Sequence, residues 1–157
     1  MADLLADFSA PFPGLAWQTA LARLICAIVL GGLVGWEREV HDKPAGMRTH
    51  MLIALASCLF TLLAFDLIAI ETSRDDALRV DPLRLIEAVT AGVAFLAAGS
   101  ILTRQGSVQG LTTGAGMWMA GALGLACGLG RIVLALIAVG LALVVLWLLR
   151  RVYPHQD

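Results

Sequence analysis

A bundle of apolar helices crossing a lipid bilayer is the architecture this sequence predicts, an all-α integral membrane protein with about five transmembrane helices. Three observations predict it. The chain is 59% hydrophobic and only 15% charged, with a mean hydropathy of +0.85, and a soluble domain of 157 residues needs more charge than that to cover its surface. Five stretches approach the roughly 20 helical residues that a hydrocarbon core about 30 Å thick requires. Strong boundary signals mark two of the stretches, Asp81-Pro82 at the start of the third and Gly130-Arg131 between the fourth and fifth. The length implies one domain, a single transmembrane unit over residues 1–157.

The first stretch, 17–36, is apolar except for Gln18 and Arg23. The residues before it carry Asp3 and Asp7 but no Lys or Arg. A cleaved secretory signal needs a positive start, so this stretch is expected to remain as a membrane helix. The second, 51–70, holds Asp66 near its end. The third, 81–102, opens on Asp81-Pro82, a good N-cap and first-turn pair, and carries Arg84 and Glu87 in its first turns. The fourth, 111–129, is rich in glycine, and the fifth, 132–149, has no charge. Only Gly130 and Arg131 separate these last two, which predicts a tight antiparallel hairpin.

Basic residues in short loops set orientation. With the C-terminus inside, the inner side holds Arg38, Lys43, Arg48, Arg104, Arg150 and Arg151, and the outer side Arg74, Arg79, Arg84 and Arg131. The excess favours an N-out, C-in, multi-pass protein. A net charge of −1 offers no basic field for nucleic acid. Cys26, Cys58 and Cys127 lie in apolar stretches without a C-x-x-C pair and read as small buried hydrophobes.

Shifting the chain by 64 residues lays Gly35 on Gly99, Gly46 on Gly110, Met47 on Leu111 and Thr49 on Thr113, and it also lays Arg23 on Glu87. Each copy reads as helix, Gly, polar loop, Gly-apolar-x-Thr, helix. The repeats cover about 17–70 and 81–130, with the fifth helix outside, and imply two hairpins in the same orientation. Equivalent positions lie at similar depth, so Arg23 and Glu87 are expected to pair inside the bundle, the alternative being that each snorkels to the outer interface. Asp66 is a third polar residue at membrane depth. Small residues recur at four-residue steps, Ala27-Gly31-Gly35 and Ala120-Gly124-Gly128, and suit either internal packing or a homo-oligomer contact, a dimer first.

Polar residues also gather at the inner mouth. Glu37, Arg38, Glu39, His41, Asp42 and Lys43 follow the first stretch and lead into Ala45-Gly46-Met47-Arg48-Thr49-His50. Arg104 and Gln109 follow the third and lead into Gly110-Leu111-Thr112-Thr113. A helix start after each glycine favours an anionic group. Arg48, Thr49, Thr112 and Thr113 would then surround a small phosphate or carboxylate, unless they are simply capped helix starts. Glu37 with Asp42 could serve Mg²⁺, but no transition-metal spacing appears and the segment reads as a solvated loop with no metal. There is no nucleophile–base constellation, no G-x-x-x-x-G-K-[ST] and no G-x-S-x-G, so neither an enzyme nor a cofactor is expected.

Several ordered blocks resemble the MgtC/SapB family of bacterial inner-membrane proteins. They are Gly35-Trp36-Glu37-Arg38, Ala45-Gly46-Met47-Arg48-Thr49-His50, Asp81-Pro82-Leu83-Arg84, Gly92 to Gly99, and Gly106 through Gly110-Leu111-Thr112-Thr113 to Trp118. The resemblance spans about residues 31–130. It implies a small multi-helix inner-membrane protein linked to growth in low magnesium and survival in host cells. For members similar to MgtC itself, it implies restraint of the proton-driven ATP synthase by contact in the membrane. The chain departs from MgtC in ending at Asp157 without a soluble domain, which is closer to the short SapB-like form. Gly114 and Gly116 also make the start of the fourth helix more flexible than the family pattern suggests. Three readings follow: a non-enzymatic regulator working by helix–helix contact with itself or a membrane partner, a small-ion transporter or channel (Mg²⁺ or another) built as a homo-oligomer, and an inner-mouth sensor using Arg48, Thr49 and Arg104.

Overall fold

The computed structural model describes residues 15–72, 81–104 and 107–152. Five helices follow one another: α1 (Trp17–Glu39), α2 (Met47–Thr72), α3 (Pro82–Gly99), α4 (Leu111–Gly128) and α5 (Ile132–Val152). Each overlaps one of the five apolar stretches, with shifted ends. Two segments, Trp17–Glu39 and Met47–Ala69, are long and apolar enough to cross a membrane, and Ile132–Leu148 is a shorter apolar stretch.

Local chemistry sets the boundaries. α2 starts at Met47, earlier than the apolar run predicts, because the Glu39 carboxylate accepts a hydrogen bond from the Met47 N–H at 2.7 Å. Asp81 accepts from the Leu83 N–H at 2.9 Å, with Pro82 opening α3, as its sequence implies. α3 ends at Gly99, short of residue 102. The Ser100 hydroxyl donates to the Ala97 carbonyl, and the chain enters an antiparallel hairpin of β1 (Leu102–Arg104) and β2 (Ser107–Gln109). Leu102 pairs with Gln109, Thr103 with Val108 and Arg104 with Ser107, so a hairpin replaces the plain polar loop expected there. Gly110 closes it at φ 87°, where a side chain would run into the Ser100 carbonyl. α4 ends in a left-handed Gly130, whose N–H donates to the Cys127 carbonyl while the Arg131 N–H donates to that of Ala126. The tight α4–α5 turn is therefore capped from within.

α2 is the middle of the bundle. It packs along α1 on one side and α4 on the other; α1 also touches α4, α3 packs on α4, and α5 on α1 and α4. α1 and α3 share no substantial interface, and α3 meets α2 only lightly. The core runs through Ala27, Leu30, Val34, Ala54, Cys58, Leu123 and Cys127. All three cysteines are free, Cys58 and Cys127 fully buried among these apolar neighbours.

Glycine permits this packing. A methyl on Gly31 would stand 2.7 Å from the Ala54 methyl, one on Gly35 2.6 Å from Met47 Cα, and one on Gly128 2.5 Å from Thr61 Cβ; one on Gly124 would strike the Ala54 carbonyl. Both small-residue stripes thus serve contacts within the chain. The repeat's matched glycines meet different surroundings: Gly35 is wedged against α2, whereas Gly99 has nothing within 4 Å.

Overpacked close contacts typically cost about 1–3 kcal/mol. Gly124→Ala should therefore lower the thermal midpoint in mild detergent by several degrees. Gly92→Ala, where a methyl meets nothing within 4 Å, should leave it unchanged or slightly raised. Equal midpoints for the two variants would contradict the packing described.

Candidate functional site

Polar side chains collect at both ends of α2. At its start, α1, α2 and α4 converge on a buried polar knot. Arg38, His50 and Thr113 are 2%, 0% and 1% exposed. Arg38, in the last turn of α1, donates Nε–H to Glu37 Oε2 at 2.6 Å, and its Nη2 pairs with the same oxygen. A cation there also answers the partial negative charge of the helix end. His41 Nδ1 is 2.6 Å from the Glu37 carbonyl, and His50 Nδ1 is 2.8 Å from that of Gly46. A carbonyl only accepts, so Nδ1 of each ring carries the proton. His50 Nε2 then faces α4 at Gly116, where a methyl would lie 2.9 Å from Nε2 and 3.8 Å from Arg38 Cδ. Among the described residues neither Arg38 Nη1 nor His50 Nε2 has a hydrogen-bond partner, which makes this knot a high-stakes element of the interior.

This geometry corrects the expected inner-mouth site. The amino end of α2 is already occupied by the chain's own anion, Glu39, and a bound phosphate would be repelled by it. Arg48 and Thr112 are exposed, Thr49 is half-buried, and of the four only Thr113 is buried. Arg104 belongs to β1, but its side chain lies outside the described residues, as do the acids of the 73–80 loop. Nor is the 37–50 segment simply a solvated loop. Asp42 is exposed, in a left-handed conformation at φ 52°, whereas Glu37, Arg38 and His50 are withdrawn from solvent. Among the described residues no cluster of three His, Cys, Asp or Glu is arranged to hold a metal ion. Gly114 and Gly116 are sites of close approach, Gly114 3.3 Å from the Ala97 carbonyl by the same measure and Gly116 against His50, where flexibility was expected.

At the far end of α2, Arg23 and Asp66 line one cavity of about 450 Å³ with Leu24, Leu59, Leu62 and Phe65. Arg23 Nη1 donates to the Gly128 carbonyl at 2.8 Å, and the guanidinium packs on Gly130. It caps the carboxyl end of α4, where a cation is favoured. The expected Arg23–Glu87 pair is not made. Arg23 is engaged by α4, and Glu87 sits exposed on α3, a helix that α1 barely meets. Matching positions in the 64-residue repeat do not bring these two helices together. Arg84 is also exposed, and Asp81 serves as the α3 cap. Asp66 Oδ1 is buried with no hydrogen-bond partner among the described residues.

Sequence reasoning placed His50 at the inner mouth but missed the two residues that continue its face of α2, Ser57 and Thr61; all three are buried, with Thr61 Oγ1 donating to the Ser57 carbonyl at 2.7 Å. Their signal was the i, i+4, i+7, i+11 spacing His50-Ala54-Ser57-Thr61, a stripe of small and polar residues matching the glycines of α4.

A family model described as the MgtC family matches residues 24–154. An uncharacterized protein of Haemophilus influenzae is 36% identical over 124 residues, 78% of this chain and 52% of its own length. A putative magnesium transporter, YhiD of Escherichia coli K12, is 38% identical over 126 residues, 80% of this chain and 58% of its own. Protein MgtC of Salmonella typhimurium is 35% identical over 118 residues, covering 75% and 47% respectively. The chain thus spans about half the length of these curated relatives. No solved structure matches it.

Removing one member of a buried ion pair strands the other and costs about 3–5 kcal/mol. Glu37→Ala should therefore lower the melting midpoint far more than Glu39→Ala, which removes a helix cap worth about 1 kcal/mol. The double change Glu37→Gln with Arg38→Met should recover most of the loss. A Glu37→Ala protein as stable as the parent would refute the burial of this pair.

Proposed function

Because this chain belongs to the MgtC family, we propose that it is a multi-pass inner-membrane protein, non-enzymatic, that regulates a membrane process by helix–helix contact with a second copy or a membrane complex. In this reading the five helices cross the bilayer with the N-terminus out and the C-terminus in. The setting is adaptation to low magnesium, as the family resemblance implies; the Escherichia coli relative is itself described as a putative magnesium transporter. A respiratory complex such as the proton-driven ATP synthase is one candidate partner.

The observation that carries the reading is the outer face of α3. Arg84 and Glu87, one turn apart, are exposed and pair with no described side chain, while Phe95 on the same face is 80% exposed and Gly92 and Gly99 stand free. A lone carboxylate turned to lipid is costly, and a partner helix bearing complementary charge relieves it. Two copies of α3 related by a two-fold axis supply this complement, Arg84 of each meeting Glu87 of the other. Small residues let the backbones approach.

The second reading, a small-ion transporter built from several copies, draws on the magnesium-transporter name of the Escherichia coli relative and on the Arg23–Asp66 cavity. It requires a path through the bundle, where α1, α2 and α4 meet backbone to backbone.

Two measurements separate them. The pure protein in liposomes should carry no Mg²⁺ under a tenfold gradient, and selective flux would overturn the regulator. In membranes, Glu87→Arg should abolish self-association read by energy transfer between tagged copies, and adding Arg84→Glu should restore it. Association unaffected by the single change would remove α3 as the contact.

A further inference from the structure

Asp66 presents a problem that the fold leaves open. Its Oδ1 is buried and accepts no hydrogen bond among the described residues, in a wall that apart from Arg23 is built from leucine, isoleucine, alanine and phenylalanine. Arg23 lines the same cavity but comes no closer than the 4 Å of an ion pair, because α4 holds it through the Gly128 carbonyl. A guanidinium has five N–H donors. Among the described residues the Arg23 side chain makes one hydrogen bond, to Gly128, and it also lines the cavity. The cavity therefore offers donors at one place, an unfilled acceptor at another, and apolar surface over the rest.

What fits this combination is narrow. A free anion would satisfy Arg23 and leave Asp66 facing like charge. A divalent cation needs about six oxygen ligands, and the cavity supplies one carboxylate. A quaternary ammonium has no N–H to give to Oδ1. An amphiphile bearing a phosphate and a primary ammonium on a short link meets both charges and lays its chain on the leucines. Depth agrees. Arg23 lies six residues inside the start of α1 and Asp66 six before the end of α2, or about 9 Å along each helix. That is near the boundary between headgroups and hydrocarbon for a helix that spans the bilayer.

We propose that the cavity shared by Arg23 and Asp66 seats the headgroup of an amine-bearing zwitterionic phospholipid, its phosphate on the Arg23 guanidinium and its ammonium on the Asp66 carboxylate. The inference rests on the bilayer-spanning reading above. The seat lies between α1 and α2, stapled to α4 through Arg23, so the lipid becomes part of the packing of all three helices.

The test uses the full chain in mild detergent, with native mass spectrometry of retained lipid. Dioleoyl phosphatidylethanolamine, phosphatidylcholine and phosphatidylglycerol are offered in equal amounts. The unaltered protein should retain the ethanolamine lipid at least tenfold over the choline and glycerol lipids, a comparison that needs no variant. Asp66→Asn should reduce the preference to within twofold, and Arg23→Gln should lower retention of all three. Millimolar free phosphoethanolamine should not displace the lipid; displacement would make the ligand a soluble one and overturn the lipid seat. Equal retention of the three lipids by the unaltered protein, or a preference unchanged in Asp66→Asn, would also overturn it. A chain recovered in the soluble fraction of lysed cells without detergent would sink the bilayer-spanning reading itself. A membrane-bound chain without headgroup preference would sink only the seat.

Discussion

Everything in this fold hangs on how closely α2 is gripped by α1 and α4. Gly31 and Gly35 let α1 meet α2 near backbone contact, and Gly124 and Gly128 do the same for α4. Where apolar helices lie in lipid, as the proposed function has it, there is no water to expel, so association rests on van der Waals contact and on hydrogen bonds between helices. Close approach maximises the first and brings side chains such as Arg23 within reach of carbonyl oxygens for the second. With α2 held on two sides, the polar groups at its ends are held in place as well.

The two ends use that grip differently. At the start of α2 the chain consumes its own charges: Arg38 is neutralised by Glu37, and the N–H of Met47 by Glu39. At the far end the charges are left apart, Arg23 on the end of α4 and Asp66 without a donor, with a cavity between them. A closed polar knot stabilises a junction. An open pair of charges invites a third group, and this contrast directs attention away from the inner mouth and toward the cavity. The outer face of α3 is a separate matter, since Arg84 and Glu87 address whatever lies beside the bundle.

Much of the helix layout was legible because each helix is nearly pure in composition and the breaks carry strong signals, Asp81-Pro82 at one and Gly130-Arg131 at another. The small-residue stripes were legible as sites of close packing, but their partners were not. A glycine shows that something comes near without showing what, and only the arrangement of three helices assigns Gly124 to Ala54 and Gly128 to Thr61. Arg23 misled for a related reason. Its partner is a backbone carbonyl, which leaves no mark in a sequence, whereas the opposite charge at the matching repeat position, Glu87, is plain to see. The anion site failed because Glu39 lies eight residues before the N–H it caps, beyond the range of local cap patterns. The hairpin at residues 102–109 hid in a short stretch that looks like any polar loop.

The packing of α2 against α4 is open to direct test by disulfide trapping in native membranes. A side chain at Gly121 would start 3.6 Å from Ser57 Oγ, so cysteines placed at these two positions lie within bonding reach. With Cys26, Cys58 and Cys127 replaced by serine, Ser57→Cys with Gly121→Cys should form an internal disulfide rapidly under mild oxidant, seen as a shift in electrophoretic mobility reversed by reductant. Cysteines that stay reduced, or that join only separate copies of the chain, would contradict the arrangement on which the rest depends.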